Sequence, residues 1–136
     1  MISIKSLPDD VDDRRRQTKK MAPTSTKSIL VVGGAGALGR GVVSGFSKLA
    51  WNVTNVDFER NDIATQNVNL DRTQHWTDRI CIATSQLASQ QFDSIIHTGG
   101  GWAGGRFGQD ETLKSMEMMW EMNIQSAILG ALSSRP

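Results

Sequence analysis

From Lys27 onward the chain alternates short apolar runs with amphipathic segments. Ile29, Leu30, Val31 and Val32 form an unbroken, β-branched-rich run that is too short for a helix. It predicts a central strand over 28–32, in a parallel sheet covered on both faces. A glycine-rich turn follows, and then the helix-like stretch GRGVVSGFSKLA over 39–50. Residues 51–57 alternate apolar and polar positions and predict a second strand, and 67–70 a brief third. Residues 73–90 predict a helix, 92–97 a fourth strand and 112–132 a long helix. Strands and helices alternating at this spacing predict an α/β fold with a doubly wound parallel sheet.

The last helix carries two apolar stripes. Leu113, Met116, Trp120, Ile124, Ala127, Ile128 and Ala131 make one, and Met118, Met122, Leu129 and Leu132 make another on a different face. A sheet covers one face of a helix, so the second stripe predicts either a homodimer interface through helix 112–132 or burial within a larger monomer. The chain ends before a fifth strand, which leaves Phe92, Ile95 and Ile96 on an expected exposed edge. The 136-residue chain on its own is therefore expected to be poorly stable or to aggregate.

Composition narrows the class. With 136 residues, 38% of them hydrophobic and 21% charged, at a net charge of +1, the chain suits one soluble domain. Its overall charge gives no reason to invoke nucleic acid or a membrane surface. It has no apolar run near the roughly 18 residues of a membrane span, so a cytoplasmic location is expected. The single cysteine, Cys81, excludes an internal disulfide and reads as a small core-filling residue. Residues 1–27 stand apart: Asp9, Asp10, Asp12 and Asp13 precede Arg14, Arg15, Arg16, Lys19 and Lys20, with almost no periodic apolar positions. They read as a disordered extension before a domain over 28–136. The basic cluster reads as a solvated tail, with a nuclear address or a phosphate-binding patch as alternatives. Met21 would itself make a plausible start.

Twelve of the thirteen glycines fall in two clusters, 33–45 and 99–108, each directly after a predicted strand. Ligands of open α/β sheets bind outside the carboxyl ends of strands. Gly34, Gly36 and Gly39 fit G-x-G-x-x-G, a weak pattern alone. Here it follows an apolar strand, opens a helix and precedes an acid at the end of the next strand, as dinucleotide binding requires. Gly33, Gly34, Gly36, Ala37, Leu38 and Gly39 are thus candidate pyrophosphate contacts. Asp57, 23 residues after Gly34, is placed to accept the ribose hydroxyls and repel a 2′-phosphate, which favours NADH over NADPH; Arg60 would soften that preference. Phe58 and Asp71 are candidate contacts at the same end of the cofactor, although Asp71 reads equally as a polar cap before Thr73. No metal site is assigned.

The loop VVGGAGALG resembles the short-chain dehydrogenase/reductase superfamily, whose fold is Rossmann-like. GGWAGG, after the fourth strand, together with the later MMWEMNIQS, closely resembles the dihydropteridine reductases, over about 28–132. The resemblance implies NADH-dependent reduction of a quinonoid dihydropteridine to the tetrahydro form, in a dimer. It implies that Gly99, Gly100 and Gly101 line the cofactor, and that Trp102 stacks on the pterin or anchors the loop. His97 and Thr98 stand where the superfamily carries two asparagines, and His97 reads as a packed, hydrogen-bonded core residue. Asn123 is either part of a proton relay or an ordinary helix-surface amide. The superfamily's catalytic Tyr-x-x-x-Lys lies beyond the fifth strand, and this chain contains no tyrosine. The expectation is therefore an inactive amino-terminal piece of such an enzyme. The alternatives are a non-catalytic half-domain that pairs with full-length subunits, or another superfamily enzyme.

Overall fold

The computed structural model describes residues 26–106 and 108–133; most of the expected extension, up to residue 25, lies outside the described residues. The elements run β1 (Ser28–Val32), α1 (Ala37–Lys48), β2 (Asn52–Asp57), β3 (Gln66–Asn69), α2 (Trp76–Leu87), β4 (Ser94–His97), α3 (Asp110–Trp120), a π-helical segment (Glu121–Gln125) and α4 (Ser126–Leu132). All strand pairs are parallel, and the sheet order is β3-β2-β1-β4. This is the doubly wound α/β arrangement that the alternation of elements predicts.

The side-chain period of β1 explains why helices cover both faces. Ile29 and Val31 point one way and pack with Val43 of α1 and Val53 of β2. Leu30 and Val32 point the other way, into a cluster with Val56, Val68, Ala83, Leu87 and Leu129 drawn from β2, β3, α2 and α4. All four β1 side chains are essentially removed from water, each contributing on the order of 1.5–3 kcal/mol. β4 forms one edge of the described sheet, with Ile95 and Ile96 half-buried.

β2 is flanked by β1 and β3, and Val53, Thr54, Asn55 and Val56 are all buried. Two expectations need correction. Cys81 is exposed rather than core-filling, because α2 turns Ala83 and Leu87 inward instead. The final helix is not uniform either. Its α-helical ladder is interrupted at Glu121–Gln125 by the wider π turn, which shifts the phase of α3 against α4. Leu129 and Gly130 pack inward, whereas Leu113, Met116, Trp120, Ile124 and Ile128 stay exposed.

Candidate functional site

The order β3-β2-β1-β4 places a switch point at β1, because the chain leaves it toward β2 and β3 on one side and returns to β4 on the other. The turns after β1 and β4 therefore open side by side at the carboxyl end of the sheet. There the two glycine clusters meet main chain to main chain. Gly33 holds φ at +89°, and a Cβ on it would lie 2.4 Å from Gly99 N and 2.7 Å from Gly99 Cα. Thr98 fastens the junction: its N–H donates to Val32 O at 2.8 Å, and its hydroxyl reaches Gly33 O at 2.9 Å. The residue read as a lost asparagine is thus the stitch between the two loops.

The first turn is held from several directions. A Cβ on Gly39 would fall 2.0 Å from Gly33 O, so the first turn of α1 rests directly on the loop. Gly36 caps α1, no side chain bonds the cap, and the first turn carries no acidic residue. No acid of the helix itself therefore offsets the positive end of its dipole. Ala37 and Leu38 lie exposed in that first turn. Asp57 Oδ2 accepts the N–H of Ala35 at 2.8 Å, and its Oδ1 accepts the N–H of Phe58 at 2.6 Å. On the other side, Arg40 Nε donates to Ala35 O at 2.7 Å. Asp57 is thus a brace for the loop as well as a candidate ribose acceptor, since each carboxylate oxygen has further lone pairs.

Beneath this loop lies a cluster of amides that sequence reasoning missed. Asn55 Nδ2 donates to Asn67 Oδ1 at 2.9 Å and to Glu59 O, while Asn67 Nδ2 donates to Asn61 O. Asn61 completes the chain of contacts by donating from Nδ2 to Gly34 O at 2.7 Å. Asn55 Oδ1 has no hydrogen-bond partner among the described residues and faces Gly34, where a Cβ would come within 2.3 Å of it. The available signal was the placement of an amide in the middle of a strand paired on both sides, where every polar group needs a partner.

Asn123 is an exposed residue whose side-chain amide is nonetheless bonded. Its Oδ1 accepts the N–H of Gly101 at 3.2 Å and its Nδ2 donates to Gly101 O at 2.8 Å, so the side-chain amide holds both main-chain groups of one residue in the second glycine loop. Nδ2 also donates to Met119 O, four residues back, at 2.8 Å. The π segment supplies this clamp. Next to it, His97 Nε2 lies 2.7 Å from Ser126 Oγ, whose own hydrogen goes to Met122 O, so His97 donates. Burial pushes the His97 imidazole below its ordinary pKa. His97 is accordingly hydrogen-bonded, as expected, but half-buried rather than part of the core, because β4 lies at the edge of the described sheet.

The remaining candidates spread around the rim. Trp102 is 84% exposed and folds over Gly104. Asp71 Oδ1 holds the N–H of Thr73 at 2.8 Å and its hydroxyl at 2.7 Å, and these bonds lower its carboxyl pKa. Asp71 therefore closes a local turn, although helix α2 starts later, after His75. Arg60 pairs with Asp62 at 3.1 Å, both well exposed. Phe58 is half-buried, with the guanidiniums of Arg72 and Arg79 over its ring. A separate open groove of about 500 Å³ lies between the start of α2 and α3, lined among others by Trp76, Arg79, Met116 and Trp120. No member of the glycine turns lines it.

No family model matches the chain. It is 36% identical over 106 residues to the dihydropteridine reductase of Dictyostelium discoideum, covering 78% of this chain and 46% of that relative. It thus spans less than half the length of the curated relative. In three dimensions it is similar to a short chain dehydrogenase family protein from Francisella tularensis. The TM-score is 0.67 at 21% identity, over 80% of this chain and 45% of the other. It is also similar to a short chain dehydrogenase from Leptospira borgpetersenii with bound NAD+, with a TM-score of 0.61 at 18% identity, over 80% and 44%.

Proposed function

The chain is a sequence relative of dihydropteridine reductase that carries the short-chain dehydrogenase fold, and from that premise we propose that it supplies the dinucleotide-binding half of an NADH-dependent dihydropteridine reductase. The observation that carries this reading is the contact of Gly33 with Gly99. It makes one cleft of two glycine turns at the switch point of the sheet, with Asp57 at the adjoining strand end.

The residues fit a dinucleotide. The uncapped amino end of α1 suits the pyrophosphate. Asp57 suits the adenosine ribose and disfavours a 2′-phosphate, so NADH is preferred to NADPH. Gly99, Gly100 and Gly101, lacking side chains, allow the cofactor a close approach, and exposed Trp102 offers a flat face to a quinonoid dihydropterin. The bound nicotinamide supplies the hydride. In our reading the proton-relay tyrosine and lysine belong to the remaining length of such an enzyme. The exposed stripe on α3 and α4 serves in pairing with a second copy.

Titrating the purified chain with NADH and NADPH, followed by tryptophan emission, tests this. We expect saturable NADH binding tighter than NADPH, and no turnover of quinonoid dihydropterin by this chain alone. Absence of NADH binding, or tighter binding of NADPH, would overturn the assignment. Turnover by this chain would overturn the division of labour between its two halves.

A further inference from the structure

Phe58 directly follows Asp57 at the end of β2, and two guanidiniums approach its ring. They are held very differently. Arg79 is a brace: Nε donates to Asp71 O and Nη2 to Arg72 O, both at 2.8 Å, while Nη1 pairs with Glu121. Its side chain is only 13% exposed, and its carbon lies 5.2 Å from the ring centroid. Arg72 lies closer, at 4.1 Å, in stacking range of the ring face. Its ion pair with Glu59 is stretched to 3.9 Å, and its side chain is 66% exposed. One cation thus fixes the loop between β3 and α2, and the other rests as a planar, weakly tethered group on an aromatic face beside the candidate ribose acid. The cation that the sequence first suggests there, Arg60, is instead paired with Asp62.

We propose that Arg72 is a specificity-determining residue for the adenosine end of the dinucleotide, an inference that rests on the dinucleotide reading above. A purine entering beside Asp57 stacks on the exposed guanidinium face of Arg72, the one turned away from Phe58. A guanidinium stacks on any extended π-system, and its positive charge then stands at the ribose. Asp57 repels a 2′-phosphate and Arg72 attracts it, so the measured preference between NADH and NADPH is the difference between two opposed charges. Weak tethering is what this role needs, because a cation locked as Arg79 is cannot follow a ligand.

The test compares wild type with R72A and R72Q, using NADH, NADPH, 5′-AMP and the reduced mononucleotide NMNH, which lacks the adenosine. Far-ultraviolet circular dichroism and melting confirm the fold of these surface variants. R72A should weaken NADH and 5′-AMP by roughly 5- to 20-fold, as expected for one cation–π contact of about 1–2 kcal/mol. It should leave NMNH unchanged and weaken NADPH more than NADH. R72Q, which keeps a planar amide without charge, should recover part of the 5′-AMP affinity but none of the NADPH affinity. NADH affinity within twofold of wild type in R72A, or an equal loss for NMNH, would overturn the role of Arg72 and leave the dinucleotide reading intact. Failure of wild type to bind NADH or 5′-AMP would instead overturn that reading, and this inference with it.

Discussion

His97 shows how one half-buried side chain carries a solution property. Its imidazole sits below the ordinary value because burial disfavours the charged form. Between that lowered value and about 6.5 the unfolded chain binds more protons than the folded one, so stability rises with pH across this window and falls as pH drops through it. Thermal melts from about pH 5 to 7.5 should show the slope. H97Q, which keeps a donor toward Ser126, should flatten it, and an unchanged slope in H97Q would assign the effect elsewhere. At this scale the sequence was readable where chemistry follows from position. Asp57 does stand at the end of its strand, beside the glycine turn. Asn55, Asn61 and Asn67 were not readable, because their value lies in bonding one another and Gly34 O across separate segments, which no local spacing encodes.

The elements were legible to the extent that hydrophobic period decides them. Four strands and their helices follow from runs of Ile, Leu and Val and from glycine punctuation, with ends displaced by a few residues, as at α2. The π segment was not legible. A one-residue phase shift inside a helix leaves both apolar stripes looking continuous, and only the packing of Leu129 against β1 and β4 separates them. That shift matters because it turns Asn123 onto Gly101. N123A should leave the helix in place and cost about 1 kcal/mol locally. Hydrogen exchange at the Gly101 amide should accelerate about fivefold, while amides in β1 keep their rates. Unchanged exchange at Gly101 would show that the clamp contributes nothing to the loop.

The whole molecule leaves Leu113, Met116, Trp120, Ile124 and Ile128 in water along one side, and β4 at the sheet edge. A monomer that exposes such a stripe is expected to hide it by self-association. Sedimentation of the chain should show concentration-dependent pairing that W120E with I124E abolishes. Pairing that persists in this double variant would place the contact elsewhere, with edge-to-edge joining of β4 the next surface to examine.

The Gly33 and Gly99 seam bears on how such a cleft can diversify. Its floor is peptide against peptide, pinned by the Thr98 hydroxyl on Gly33 O. A floor of this kind behaves as a fixed mould, with the same shape and the same outward-facing dipoles whatever ligand is preferred. Changes of preference must therefore be written on the rim, at Asp57, Phe58, Arg72 and Trp102, where a substitution alters recognition without having to rebuild the fold.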